Sequence, residues 1–257
     1  MYRLFSYIKQ PLFDNWYITR LIGQGTYSEV YEITSGIETA VIKVKPVFTD
    51  TPESLQRKIS VAEREAVIMD GLKDCPYIVR YHGKTIQKIS DLKYLFILKT
   101  EKLIPLTEQV NIFVPEERII KIALDIATAL EYVHNAGIVH CDVKPDNFFL
   151  SADGICKLGD FNISGFQGIE RNISGSHGYT APEVYTSDTY DTKSDIYSYG
   201  ISLNQLTKGR CSPEFSEIIS KACSPDLSKR YQSFSDIISD ISAIIRNNYV
   251  NPEDFSC

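Results

Sequence analysis

The apolar residues of this chain change their period part-way along it, and that change limits the folds open to it. Over residues 16 to 44, WYITRLIGQGTYSEVYEITSGIETAVIKV, β-branched and aromatic residues alternate with polar ones and are interrupted at Gly23, Gly25 and Gly36. Alternation sends one side of a strand to a core and the other to water, so two or three antiparallel strands joined by hairpins are expected. The next stretch, SLQRKISVAEREAVIMDGL, repeats its apolar positions at steps of four and three: Leu55, Ile59, Ala62, Ala66 and Met69. That spacing predicts one helix ending at Gly71. YIVRYHG and YLFILKT then read as two further strands around a polar turn at Ser90-Asp91.

Beyond this point the period is helical. Pro115 opens a helix whose Ile119, Ala123, Ile126, Leu130 and Val133 form one stripe, with Gly137 as its stop. From Ile138 to Phe161, short apolar pieces are separated by Pro145, Asp153-Gly154 and Gly159, which predicts loops and tight hairpins. Helices are expected over Thr192 to Leu206, Pro213 to Cys223 and Ser235 to Arg246. The expectation is an α+β chain: a small antiparallel sheet with one helix over residues 1–101, then a mainly helical part over 102–257, the crossover lying near Lys99 to Leu103.

A length of 257 residues suits one large domain or two small lobes. The net charge of −6 argues against a general nucleic-acid or membrane-surface binder. No apolar run approaches the ~20 residues that cross a bilayer. The opening MYRLFSYIKQPLF contains charges and lacks a signal-peptide pattern, so a small structured or fraying extension is expected. Six cysteines (Cys75, Cys141, Cys156, Cys211, Cys223 and Cys257) show no metal-ligand spacing and read as reduced thiols of a cytoplasmic protein.

Three local patterns carry chemistry. In Gly23-Gln-Gly25-Thr-Tyr-Ser28-Glu-Val30, between two expected strands, the glycines would let a hairpin backbone press close over phosphates. The same pattern also fits an ordinary glycine hairpin. Lys43 follows in the apolar strand Ala40-Val41-Ile42-Lys43, where it must reach an edge or find an anion. Glu65 flanks the apolar stripe of the next helix and is the candidate anion; Glu63 is its rival, turned more towards solvent. A snorkelling lysine with an exposed glutamate is the plainer alternative. The third pattern is His140-Cys141-Asp142-Val143-Lys144-Pro145-Asp146-Asn147.

That third stretch resembles the catalytic loop of the protein kinase superfamily, H-R-D-x-K-P-x-N. Asp160-Phe161, Ala181-Pro182-Glu183, Asp195 with Gly200, and Arg230 follow in the family's order, so the resemblance spans about residues 16 to 245. It implies a bilobal kinase fold and a transfer of the γ-phosphate of ATP to a protein hydroxyl. Phosphoryl transfer depends on positioning and charge neutralisation rather than covalent help. By resemblance, Asp142 orients the hydroxyl and accepts its proton, and Lys144 contacts the transferring phosphate. Asn147 and Asp160 hold magnesium, with manganese as an alternative ion, while Lys43 grips the α and β phosphates and is held by Glu65. Ile22, Gly23, Gly25, Ser28, Val30, Val41 and Phe149 would complete the ATP site. Lys144-Pro145 resembles serine/threonine kinases, and Ser176 stands where these bridge Asp142 and Lys144. Glu183 with Arg230, Asp195, His140, Phe161 and Met69 would be structural, as would Tyr179 and Thr180. The implied partners are ATP and a protein substrate carrying Ser or Thr, with no nucleic acid and no membrane. The ending KACSPDLSKRYQSFSDIISDI resembles bacterial members of the superfamily.

Four departures from the family pattern stand out. Cys141 replaces the arginine that receives an activation-loop phosphate, so Ser164, Ser174 and Ser176 are not expected to act as an obligatory phosphorylation switch. Ser28 replaces a loop glycine. Only Thr207-Lys-Gly-Arg-Cys211 separates two late helices, which abbreviates the second lobe. Asn162 replaces the glycine of Asp-Phe-Gly, and is expected to adopt a left-handed conformation at modest strain. Two other functional readings were open. A pseudokinase or nucleotide-binding scaffold is countered by the retention of Lys43, Asp142, Asn147 and Asp160. A small-molecule kinase is countered by Ala181-Pro182-Glu183 and Arg230.

Overall fold

The computed structural model describes residues 4–25, 28–109, 114–166, 175–187 and 189–249. Thr26, Tyr27, Ser174 and Cys257 lie outside the described residues. The chain divides into two compact units, one of residues 1–74 and 79–102, the other of residues 75–78 and 103–257.

The first unit is built on β1 (Tyr17–Gln24), β2 (Glu29–Thr34), β3 (Thr39–Phe48), α1 (Pro52–Gly71), β4 (Tyr81–Ser90) and β5 (Lys93–Glu101). The strands form one antiparallel sheet in the order β1-β2-β3-β5-β4. Alternation sorts the side chains of the central strands. Tyr31, Ile33, Ala40, Ile42, Val44, Leu95 and Ile97 share one face and join a buried cluster with Leu4, Ile8, Leu12 and Trp16 of the opening segment. That segment is therefore part of the core. The Leu4 amide also donates to Glu29 (3.0 Å). The opposite face carries Val41, Lys43 and Lys45, and α1 packs on β3. The helix starts at Thr51, whose hydroxyl caps the Ser54 amide, with Pro52 in its first turn. It buries Ala62, Glu65, Ala66, Ile68 and Met69.

One strand differs from expectation. The strand expected at Tyr77–Gly83 begins only at Tyr81 and runs on to Ser90. Residues 81–90 alternate between exposed and half-buried positions with no apolar run, as suits the last strand of a sheet. Tyr77 and Ile78 instead pair with Leu158 of the second unit: the Leu158 amide donates to the Tyr77 carbonyl (2.8 Å), and an isolated bridge joins Ile78 to Leu158.

The second unit contains β6 (Ile104–Pro105), α2 (Leu106–Gln109), α3 (Glu116–Asn135), β7 (Ile138–Val139), β8 (Phe148–Leu150), β9 (Cys156–Leu158), β10 (Gly165–Phe166), α4 (Val184–Ser187), α5 (Thr192–Thr207), α6 (Pro213–Ala222) and α7 (Phe234–Tyr249). The five stripe positions of α3 are all buried. Each of the four larger side chains contributes about 1.5–3 kcal/mol over leaving it in water. α3 packs on α5, α7 and β9. The Tyr199 hydroxyl crosses from α5 to the Ala123 carbonyl (2.8 Å), and the Tyr199 ring meets Phe234 of α7 edge-on. α5 begins with a capping box in which Asp191 and Ser194 satisfy each other's amides. Gly200 lets α6 approach: a Cβ there would lie 2.7 Å from Cys223 Sγ and 2.9 Å from Ala222 Cβ. The helices thus stack tightly behind the short hairpins that carry the loops.

Candidate active site

In the second unit, the loop after β7 is tied down by a buried carboxylate. Asp195, in the first turn of α5 and 1% exposed, accepts from the backbone amides of His140 (2.7 Å, Oδ2) and Cys141 (2.8 Å, Oδ1). His134 of α3 lies on the same carboxylate, Nε2 to Oδ2 at 2.9 Å. Cys141 takes a left-handed turn (φ 68°), and Ser164 and Ser202 hold the carbonyls of His140 and Val143. The Asp142 amide donates to His140 Nδ1 (3.3 Å), which leaves the ring proton on Nε2 to be donated to the Gly159 carbonyl (3.1 Å). The His140 ring also meets Phe161 edge-on, at 4.8 Å between centroids.

The loop carries a dense polar cluster. The Asp142 carboxylate accepts from Lys144 Nζ (2.8 Å), Ser176 Oγ (2.6 Å) and Asn147 Nδ2 (3.1 Å), and Lys144 also donates to Ser176 (2.5 Å). Burial pushes the Asp142 carboxyl up, but the bonds from Lys144, Ser176 and Asn147 together hold it below its ordinary value. The group is therefore an ionised acceptor near neutral pH.

Asn147 spends its amide nitrogen on Asp142, donating to the Asp142 carbonyl (2.7 Å) as well as the carboxylate. The β8–β9 hairpin then fixes what lies beside it. Phe148 pairs with Leu158, and the Gly159 amide donates to the Asn147 carbonyl (2.9 Å), so Asp160 is set next to Asn147. The donor set pairs one amide oxygen with one carboxylate. Hard oxygen ligands of this kind fit magnesium, which takes few protein ligands and completes its shell with water and phosphate oxygens. Phe149 lies half-buried on β8, paired with Lys157 and Pro105.

The turn at Asp160 corrects one expectation. The left-handed residue is Asp160 itself (φ 59°), and Asn162 has no positive φ. The Asp160 side chain closes the turn by accepting from the Asn162 amide (3.3 Å). Position 162 is exposed and calls for no glycine, so asparagine costs no backbone strain there.

The stretch Ala181-Pro182-Glu183 is anchored by an ion pair. The fully buried Arg230 side chain forks onto Glu183 (2.6 and 3.1 Å) and also donates to the carbonyls of Ser224 and Lys193. Thr180 donates to the Ser176 carbonyl, Ser198 donates to the Tyr179 carbonyl, and the Tyr179 hydroxyl donates to Gln205. Gly175 is pressed against the Tyr190 hydroxyl and the Cys141 carbonyl, which leave no space for a Cβ. Ser164 is fully buried and bonded to His140, so it offers no accessible hydroxyl for modification.

In the first unit, strand register brings the other named residues together. Gly23 lies opposite Val30, Val30 opposite Lys43, and Glu32 opposite Val41. Ile22 is exposed on β1, and the Gly25 amide donates to the Ser28 carbonyl (2.8 Å), closing the described part of the glycine turn. Lys43 meets Glu65 at 3.1 Å, whereas Glu63 pairs with Lys84. Sequence reasoning passed over Lys45, which also contacts Glu65 (2.6 Å). Its two-residue spacing from Lys43 on one strand was the available signal. His134 was missed as well, because a partner sixty-one positions away leaves no local pattern.

The protein kinase domain family matches residues 16–245. The chain belongs to this family. Its α+β, bilobal kinase fold follows, with an antiparallel sheet part and a helical part that is abbreviated between α5 and α6. Among relatives of this chain, serine/threonine-protein kinase cst-1 of Caenorhabditis elegans is 30% identical over 227 residues, covering 83% of this chain and 42% of the relative. Mitogen-activated protein kinase kinase kinase 17 of Arabidopsis thaliana is 29% identical over 201 residues, covering 76% and 52%. Serine/threonine-protein kinase pakE of Dictyostelium discoideum is 30% identical over 205 residues, covering 77% and 21%. The chain thus spans about half or less of the length of these relatives. Among the described residues, no helix is long and apolar enough to cross a membrane.

Proposed function

We propose that this protein is an active serine/threonine kinase that transfers the γ-phosphate of ATP to a hydroxyl on a protein substrate, acting in the cytoplasm. The observation that carries the reading is the Asp142 cluster. A carboxylate held ionised beside Lys144 and Asn147 is what a hydroxyl acceptor needs: an anion to orient it and take its proton, and a cation for the moving phosphate. Lys144 contacts the transferring group and Lys43 the α and β phosphates. Ile22, Gly23, Gly25, Ser28, Val30, Val41 and Phe149 bind the rest of ATP. Asn147 and Asp160 would hold magnesium, which supplies charge neutralisation on the phosphates when bound.

Cys141 bears on control. It brings no cation to its position and sits in an apolar cluster with Val139, Ala181, Val184 and Tyr190. Activity is therefore expected to survive phosphatase treatment, and a preparation inactivated by that treatment would refute this part of the reading. Among the described residues, Cys75, Cys141, Cys156, Cys211 and Cys223 are free thiols, as a reducing compartment would keep them.

The test of the function is direct. The purified protein is incubated with γ-labelled ATP, magnesium and casein or myelin basic protein, beside Asp142→Asn. Label that appears with the wild type and vanishes with the variant supports the proposal. Nucleotide binding without transfer to any acceptor would point to a scaffold instead.

A further inference from the structure

Lys45 stands two residues beyond Lys43 on β3, so the strand period puts both lysines on the face that α1 covers. Glu65 is 2% exposed there, and each of its oxygens meets a different cation: Oε1 lies 3.1 Å from Lys43 and Oε2 2.6 Å from Lys45. The Lys45 side chain is 11% exposed, so it has not withdrawn to water. Oε2 has no donor in hydrogen-bond alignment, which makes its link to Lys45 a close charge contact rather than a directed bond. One buried carboxylate thus faces two lysines. A buried anion needs a counter-charge, and here that need is met even when one of the two lysines turns elsewhere.

We propose that Lys45 is a positioning residue for phosphate binding: it keeps Glu65 neutralised against β3, so that Lys43 can engage the phosphates of ATP without stranding a buried carboxylate. This rests on the kinase reading above. Without Lys45, the phosphates must compete with Glu65 for Lys43, and nucleotide affinity falls.

The experiment measures the dissociation constant of trinitrophenyl-ATP with magnesium by fluorescence, alongside a thermal melt and the KM for ATP. Lys45→Met is expected to weaken binding about fivefold and raise KM in parallel, with kcat less affected, and Lys45→Arg to restore both to within about twofold. In a Glu65→Gln background the Lys45→Met effect should shrink to less than about twofold, because its target is gone. Lys45→Gln serves the same comparisons if Lys45→Met fails to fold. Unchanged affinity, an equal loss with and without Glu65, or no recovery with arginine would overturn the proposal. A wild type that binds nucleotide without transferring phosphate would defeat the enzymatic reading while leaving the Lys45 comparison intact.

Discussion

Two buried carboxylates, one in each unit, are held in different ways. Asp195 is fixed by two backbone amides and an imidazole, on a helix start packed into the helical core. Glu65 is met by the ends of two long lysine side chains. A carboxylate bonded to main chain sets the path of a loop and cannot change partner without unfolding it. One bonded to lysines can trade partners at low cost. The first arrangement suits the proposed role of a loop that presents Asp142, Lys144 and Asn147 in one geometry; the second suits the role proposed for Lys43, which would leave its partner for a phosphate.

Breaking the rigid side should have the larger effect on stability. Asp195→Ala strands two buried amides, each worth about 1–3 kcal/mol when unsatisfied, so urea unfolding should show a loss of about 3 kcal/mol or more. A loss under ~1 kcal/mol would mean that the loop is held by other contacts. Glu65→Gln, on the adjustable side, should cost only about 1 kcal/mol, because glutamine keeps the side chain's shape and the two flexible lysines can extend to water once the carboxylate charge is gone. An equal stability loss at the two sites would mean that the two carboxylates are held equally firmly. The smallest effect belongs to Asn162→Gly, since the left-handed turn is made at Asp160. Transfer activity should stay within about twofold, and stability should fall by a few tenths of a kcal/mol through the added freedom of the unfolded chain. A variant that gained activity from nothing would show that asparagine blocks the turn.

How much of this was legible from sequence differs between the same two regions. The α3 stripe, the Thr192 helix and the hairpins of the sheet were readable because their burial follows a fixed period. The loop residues were readable because Asp142, Lys144 and Asn147 stand in one short stretch that resembles the catalytic loop of the family. Position 162 was misjudged: the glycine of the family pattern suggested a left-handed residue there, but the Asp160 side chain stabilises that conformation two residues earlier. The outer strand β4 was misplaced because it has no buried face to leave an apolar signature. Lys45 and His134 were missed because their roles arise only when distant elements meet.

The role proposed for Asp142 is that of an ionised acceptor that serves transfer and not nucleotide binding. Its carboxyl lies below the ordinary value of 3.8 in the folded protein, so its contribution is complete above that pH and is lost as pH falls through the lowered value. The decisive measurement is Asp142→Asn at pH 7, followed for both ATP affinity and single-turnover transfer. ATP affinity should remain within about twofold of wild type while transfer drops by about 10²–10⁴-fold. Transfer at the wild-type rate in this variant would contradict the account.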